Sequence, residues 1–460
     1  MDNRNIDTAH PATDAATNPA EPLDRLRQKI QDLLAEARRR GASAAEAAVS
    51  TSTGLEVGVR LGEVETVEHT RDQGLWISVY FGHRKGSAST SDLSMGAIRD
   101  TVEKACAIAG HTQEDTCAGL APASLMATGA LPDLDLNHPW DIDVDEAMRL
   151  AIACEDAARG ADPRIVNSEG ASFSSHAGLQ VYGNSHGFVG GYPSTRHGLS
   201  CAVIGKQDDA MQRDHWWTTA RAPGDLDDPA AVGRRAAERT LSRLGARRLG
   251  TCEVPVLFRA EVAAGLLRHL TGAIHGASLY RKTSFLLDRL GEQILPAFVR
   301  VSEDPLKPRG LASAAFDSDG VATRPKDLVT DGVLSSYLLD HYSACKLGLQ
   351  STGNAGGARN LSVDLGDLDR DGMLRALGTG LYVTELMGQG VNNVTGDYSR
   401  GASGFWVENG EICHPVEEIT IAGNLLDMYR GLVAIGNDCD FPGSTTTGSW
   451  LIDRMMVAGE

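Results

Sequence analysis

The sequence predicts an α+β protein of two domains with antiparallel sheets, and the C-terminal domain is expected to be rich in strands. Residues 55–90 alternate apolar and polar side chains, which is typical of antiparallel strands with one solvated face. Asp331-Gly332 and Asn409-Gly410 each separate two apolar stretches, and these dipeptides are the strongest short-range hairpin signals. Helix and strand patterns do not alternate in the βαβ manner that indicates a parallel sheet.

The chain of 460 residues is long enough for two or three domains with proper cores. Residues 1–21 are polar and lack an apolar signal segment, so a disordered tail is expected there. A charged, helix-rich segment ends before the continuous apolar run EVPVLF, which is typical of a buried strand. We therefore place an N-terminal α+β domain at residues 22–245 and a C-terminal domain at residues 246–460.

Helical spacing of apolar residues predicts the helices of the N-terminal half. The first is expected at residues 22–40 and the second at residues 93–109. A third helix is expected to be capped by Asp145 and to reach about Arg159. Two more strands are predicted in SEGASFSSHAGLQVYG and HGLSCAVIGK.

Composition excludes several classes of protein. The hydrophobic content of 42% and the charged content of 23% are ordinary for a soluble globular chain. A net charge of −18 argues against DNA or RNA binding, which needs a basic face. The eight cysteines are scattered and form no CxxC pair, so we expect reduced thiols in a cytoplasmic protein.

Two fragments resemble functional motifs but lack parts of them. GNSHG fits a nucleophile elbow around Ser185, yet the glycines and proline that follow forbid the required helix, so a turn between strands is expected. DLDRDG begins like a calcium loop, but Gly378 stands where the bidentate glutamate is needed. We expect Asp369 or Asp371 to cap a helix instead.

Residues 388–411 are rich in glycine and polar side chains. Ser403 has no histidine or cysteine near it in sequence, so tight turns explain the glycines better than a nucleophile does. Thr395, Asp397, Ser399 and Ser403 are candidates for the lining of a substrate pocket.

FRAEVAAGLLRHL (258–270) predicts a helix packed along one face, with Glu261 in its first turn. A catalytic zinc helix needs two histidines one turn apart, the first followed by glutamate. None of the 13 histidines precedes a glutamate, and the closest pair, His269 and His275, is six residues apart. No local signature therefore predicts a metal site.

From about residue 22 to the C-terminus, the chain resembles the TldD/TldE (PmbA) metalloprotease family, peptidase family U62, and most of all its TldE/PmbA branch. The resemblance is carried by long blocks in a fixed order: EVAAGLLRHLTGAIHGASLYRKTSFLLDRLGEQILP, GLASAAFDSDGV, LGLQSTGNAGG, TGLYVTELMGQGVNNVTGDYSRGASGFWVENGEI, PVEEITIAGNL and IGND. Coverage is nearly complete in the second half and looser in the first.

The resemblance implies a two-subunit machine. A TldD-type subunit binds zinc through an HExxxH helix and a distal cysteine, and a TldE-type subunit pairs with it around an internal chamber. In this chain the HExxxH positions fall at Ala260, Glu261 and Gly265, and the cysteine position falls near Thr447. Only the glutamate is kept, so no metal ligand and no catalytic residue is expected here, and zinc is expected in the partner.

The implied substrates are unfolded segments and modified peptide precursors, which would pair with an exposed strand edge. Two alternatives stay open. One is an independent hydrolase that uses Ser185 or Ser403, or zinc held by dispersed histidines such as His269, His275 and His341. The other is a homodimer that binds extended peptides without cleaving them.

Overall fold

The structure is a computed structural model that describes residues 20–459. Of the tail expected at residues 1–21, residues 1–19 lie outside the described residues. The first helix begins at Ala20. The helices are α1 (Ala20–Arg39), α2 (Met95–His111), α3 (Val144–Arg159), α4 (Pro229–Ser242), α5 (Ala260–Ala273), α6 (Gly276–Tyr280), α7 (His341–Leu347), α8 (Arg370–Leu377) and α9 (Leu425–Arg430), with 3₁₀ turns at Ala123–Leu125 and Pro223–Asp225.

The strands of the first half are β1 (Ala44–Arg60), β2 (Glu63–Phe81), β3 (Arg84–Thr90), β4 (Ile165–Asn184), β5 (Val189–Gln207) and β6 (Ala210–Ala220). Those of the second half are β7 (Cys252–Phe258), β8 (Val301–Glu303), β9 (Lys326–Thr330), β10 (Val333–Leu334), β11 (Leu361–Val363), β12 (Gly380–Met387), β13 (Asp397–Glu408), β14 (Glu411–Asn424), β15 (Leu432–Ile435), β16 (Thr445–Thr446) and β17 (Trp450–Ala458).

The first half forms one antiparallel sheet in the order β3-β2-β1-β4-β5-β6. Helix α1 packs on it through Ile30, Leu33 and Ala37, whose helical spacing places them on one buried face. Helices α3 and α4 cross closely, because a Cβ at Gly233 would lie 2.0 Å from the carbonyl oxygen of Cys154. Only glycine allows that approach between the two helices, and α4 also packs against β5 and β6.

The second half contains two further sheets. One has the order β10-β9-β8-β11-β16, and the other has the order β14-β13-β12-β7-β17-β15. Strand β14 also pairs with β17, so β14, β13, β12, β7 and β17 form a closed ring. The large side chains of Phe258, Leu266 and Trp450 fill the core around it.

The α+β class, the antiparallel sheets and the strand-rich second half are confirmed. The hairpin turns are also where the sequence predicts them, with Asp331 and Asn409 both at positive φ. Two pairings differ from the antiparallel pattern, since β7 pairs parallel with β12 and β11 pairs parallel with β16. The long connections between these strands, which include α5 and α8, permit the parallel crossings.

Two predictions about the chain are wrong. The cap of α3 is Asp143, whose side chain accepts a hydrogen bond from the Glu146 backbone, and Asp145 lies inside the first turn. Cys117 and Cys345 form a disulfide that joins the segment after α2 to α7, so these two residues are not free thiols. They are 228 residues apart in sequence, which is why spacing alone did not reveal the pair.

No helix within residues 20–459 has both the length and the apolar character that crossing a bilayer requires.

Candidate functional site

Helix α5 carries the positions that the resemblance assigns to zinc chemistry. It starts directly after β7 and buries Ala263, Leu266 and Leu270 against the core. The opposite side presents Glu261 and Gly265, one turn apart. A Cβ at Gly265 would have no neighbour within 4 Å, so the surface of α5 at Gly265 borders open space.

The Glu261 carboxylate is held by Arg239 of α4. Arg239 Nη2 donates to Glu261 Oε1 at 2.7 Å, and Nη1 donates to Oε2 at 3.1 Å. Both side chains are largely buried, with 8% and 11% of their surface exposed. A bidentate arginine–carboxylate pair of this kind fixes the orientation of both groups and is among the stronger hydrogen-bonded arrangements.

A wider network of alternating charges surrounds this pair. Arg239 Nε also donates to Asp214 Oδ1 at 3.1 Å, and Arg243 lies 3.6 Å from Asp214 Oδ2. Arg243 pairs in turn with Glu385 of β12 at 2.6 Å. Burial opposes the charge of Arg239, but the carboxylates of Glu261 and Asp214 outweigh it and raise the pKa of the guanidinium.

The residues at the assigned ligand positions do not fit zinc. Ala260 and Gly265 have no donor atom. The Thr447 hydroxyl is fully buried and already engaged, since it donates to the Gly448 carbonyl at 3.1 Å and accepts from Trp450 Nε1 at 2.8 Å. Across residues 20–459, no three or more His, Cys, Asp or Glu residues are grouped so that they could hold a metal ion. We therefore derive no chemical step through zinc in this chain.

The residues predicted from the 388–411 stretch do not all come together. Thr395 Oγ1 donates to Asp397 Oδ2 at 2.6 Å, and Asn424 Nδ2 donates to the Thr395 carbonyl at 2.9 Å. Thr395, Asp397 and Ser399 are exposed, and Asn424 is half-buried. Ser403 is only 3% exposed and lies roughly 20 Å along β13 from Asp397, at about 3.3 Å per residue.

The glycines of this stretch serve close backbone packing. A Cβ at Gly390 would lie 1.9 Å from the Ser399 carbonyl oxygen, and one at Gly404 would lie 2.0 Å from the Tyr382 carbonyl oxygen. Strand β13 is hydrogen-bonded to β12 on one side and to β14 on the other. Strand β13 therefore offers no free edge to an extended peptide. The outer edge of β2 differs, because β3 pairs only with residues 75–81 of that strand.

The two motif-like fragments have structural roles. Ser185 lies in the turn between β4 and β5, as predicted, and its hydroxyl accepts a hydrogen bond from the Ala45 backbone at 3.1 Å. Asp369 caps α8 by accepting from the Gly372 backbone at 2.8 Å, which confirms the predicted cap.

The three dispersed histidines belong to no metal-binding group within the described part of the chain. His275 Nδ1 accepts from the Ala277 backbone at the start of α6. His269 packs edge-on against Tyr398, and burial lowers its pKa. The His341 backbone donates to Asp319 Oδ2 at 2.9 Å.

The sequence reasoning missed Asp214, Arg239, Arg243 and Glu385, which come from β6, α4, the end of α4 and β12. One signal was available, because Arg235, Arg239 and Arg243 recur every four residues and so share one helix face. Their acidic partners lie far away in the chain, so the network itself could not be read from local spacing.

Comparison with known proteins gives consistent matches over most of the chain. Residues 45–109, 137–244 and 251–459 match, respectively, domain 1, the central domain and the C-terminal domain of the PmbA/TldA metallopeptidases. The chain is 54% identical to the metalloprotease PmbA of Escherichia coli O157:H7 over 90% of its own length and 92% of that protein. It is 52% identical to a PmbA homolog of Haemophilus influenzae, covering 94% and 96% of the two chains.

Solved structures share the fold. A Bacteroides thetaiotaomicron protein described as a putative modulator of DNA gyrase superposes with a TM-score of 0.90 and 28% identity, over 95% of this chain and 99% of that one. TldE from Thermococcus kodakarensis superposes with a TM-score of 0.81 over 94% and 100% of the chains. At 20% identity, the second likeness concerns the fold alone.

Proposed function

Because this chain belongs to the TldD/TldE (PmbA) metallopeptidase family, we propose that it is the PmbA/TldE-type subunit of a cytoplasmic zinc metallopeptidase. The proposed complex degrades unfolded peptides and processes modified peptide precursors. In this proposal the chain is non-catalytic by itself, and a TldD-type partner contributes the zinc in a heterodimer.

The observation that carries the proposal is the pairing of Glu261 with Arg239. A glutamate that activates a metal-bound water must have an oxygen free to take the proton. Both oxygens of Glu261 accept hydrogen bonds from Arg239, whose guanidinium stays protonated at every physiological pH. A nearby guanidinium also opposes the approach of a divalent cation. The arrangement thus supports a structural role for Glu261.

The donor atoms support the need for a partner. Zinc in peptidases is held by imidazole, thiolate and carboxylate groups. Ala260 and Gly265 have none of these, and the Thr447 hydroxyl is already engaged with Trp450. A subunit of a zinc enzyme with such a site depends on another chain for the metal.

For the substrate we propose extended peptides. Thr395, Asp397 and Ser399 are exposed and would contact a peptide with their side chains. The buried Ser403 lies roughly 20 Å along β13 from Asp397, so it is not part of this peptide contact. Addition of a peptide as an extra strand would use the outer edge of β2 at residues 63–74, which no strand within residues 20–459 covers, because β13 is paired on both sides.

Co-expression tests this proposal. The chain is produced alone, and together with a family member that has an intact HExxxH helix. Each preparation is assayed for zinc and for cleavage of an unfolded peptide. We expect the two chains to co-purify, with zinc and activity only in the joint preparation. Zinc-dependent cleavage by this chain alone would overturn the proposal, and a peptide-binding homodimer that ignores the second chain would replace it.

A further inference from the structure

A small cavity lies between the first sheet and the segment that follows β8. Its volume is about 200 Å³. Trp76, Tyr182 and Tyr192 line it from β2, β4 and β5, and Phe316 and Arg359 line it from the second half of the chain. The cavity is separate from the network around Glu261, since the two share no residue.

Aromatic rings form most of the wall. The ring centres of Trp76 and Tyr182 lie 6.4 Å apart, and those of Tyr192 and Phe316 lie 5.8 Å apart. Tyr182 and Phe316 link the two pairs at 6.4 Å. These spacings are those of packed aromatic pairs, so the wall is ordered before any ligand arrives.

Arg359 is the unusual member of this wall. Its Nε atom is buried and has no hydrogen-bond partner, one of two such side-chain atoms within residues 20–459. Its guanidinium also has no ion pair within 4 Å in that part of the chain. Arg221 gives a contrast, because its guanidinium donates to the Thr195 carbonyl at 2.9 Å and to the Leu311 carbonyl at 2.7 Å. The Arg359 side chain as a whole is half-buried, but a buried donor atom without an acceptor is costly.

The acidic residue in the cavity lining does not use up this hydrogen-bonding capacity. Asp317 also lines the cavity, but its carboxylate already accepts backbone hydrogen bonds from Asp319 and Val321 at 2.9 Å and from Ala355 at 3.0 Å. Arg359 therefore keeps donors for an acceptor that enters from outside. The exposed residues Gln180 and Ser318 lie at the rim and leave an entrance.

We propose that this cavity binds the α-carboxylate of an apolar or aromatic residue, with Arg359 holding the carboxylate and the rings holding the side chain. A guanidinium fork matches the two oxygens of a carboxylate. The volume equals roughly seven water molecules at about 30 Å³ each, which limits the ligand to about one residue. The ligand is either a free amino acid or the C-terminal residue of a peptide.

The test is isothermal titration calorimetry on the full chain with three probes: phenylalanine, N-acetylphenylalanine and N-acetylphenylalaninamide. The acetylated acid should bind at least about tenfold more tightly than the amide, because the amide lacks the charge that Arg359 recognises. Tighter binding of phenylalanine than of N-acetylphenylalanine would identify free amino acids as the ligand. The reverse order would identify peptide C-termini.

Arg359→Met should abolish the preference for the acid over the amide. Arg324→Met is the matched control, since Arg324 is exposed and does not line the cavity, and it should keep the preference. Circular dichroism verifies that both variants fold, and if Arg359→Met does not, the acid–amide comparison on the unaltered protein decides alone. Equal binding of acid and amide, or no binding of any probe at millimolar concentration, would mean that water fills the cavity and would overturn the proposal.

Discussion

Replacing Glu261 with glutamine removes one negative charge from the buried network while it keeps the shape of the side chain. The amide has one oxygen instead of two, so one of its two hydrogen bonds with Arg239 is lost, and the other becomes a bond to a neutral group. Arg239 keeps Asp214 as its remaining carboxylate partner.

The loss of folding stability in this variant can be estimated from the structure. A hydrogen bond to a charged group contributes about 1.5–3 kcal/mol, and the 11% exposure of Glu261 leaves little screening by solvent. We expect Glu261→Gln to lower the free energy of unfolding by about 2–3 kcal/mol. At roughly 2–4 °C per kcal/mol, the melting temperature should fall by roughly 4–12 °C, measured by differential scanning calorimetry.

Glu253→Gln is the matched control. Glu253 is 51% exposed and lies 3.4 Å from Arg454, so its loss should cost no more than about 1 kcal/mol. Peptidase activity of the complex with a zinc-binding partner should not change in either variant. If Glu261→Gln left stability intact but lowered activity by about a hundredfold, as loss of a general base does, the structural role assigned to Glu261 would be refuted.

Three further outcomes are expected. Burial raises the pKa of Asp319 to about 7, so the native state binds an extra proton between about pH 4 and pH 7 and loses stability as the pH rises through that window. Asp319→Asn should remove this loss, on the order of 3 kcal/mol between about pH 5 and pH 8 in chemical unfolding. Because Cys117 and Cys345 form a disulfide, alkylation of the denatured protein should label six thiols without reductant and eight with reductant. Cys117→Ser removes this disulfide and should lower the free energy of unfolding by about 2–4 kcal/mol. Asp369→Ala should cost about 1 kcal/mol by removing the cap of α8, whereas Asp371→Ala, which removes no cap, should cost less.

The parts of the fold that local pattern determines were predictable from sequence. Helix α5 follows from the spacing of its buried residues, and the hairpin at Asn409 follows from a dipeptide that accepts positive φ. The cap at Asp369 follows from a short side chain before a helical pattern. The cap of α3 was misplaced because Asp143 and Asp145 are both suited to the position, and only the backbone conformation decides between them.

The site depended on tertiary contacts that no local pattern reports. Arg239 and Glu261 are close in sequence, but Asp214 and Glu385 reach the network from distant strands. The unpaired Nε of Arg359 is harder still to predict, because the lack of an acceptor is a property of the folded surroundings.

The most direct measurement is the zinc content of this chain, purified without any partner and crystallised after exposure to zinc. We expect no stoichiometric zinc in solution and no anomalous peak beside Glu261, whose oxygens should still face Arg239. One zinc per chain, ligated at Glu261 with Arg239 displaced, would contradict it.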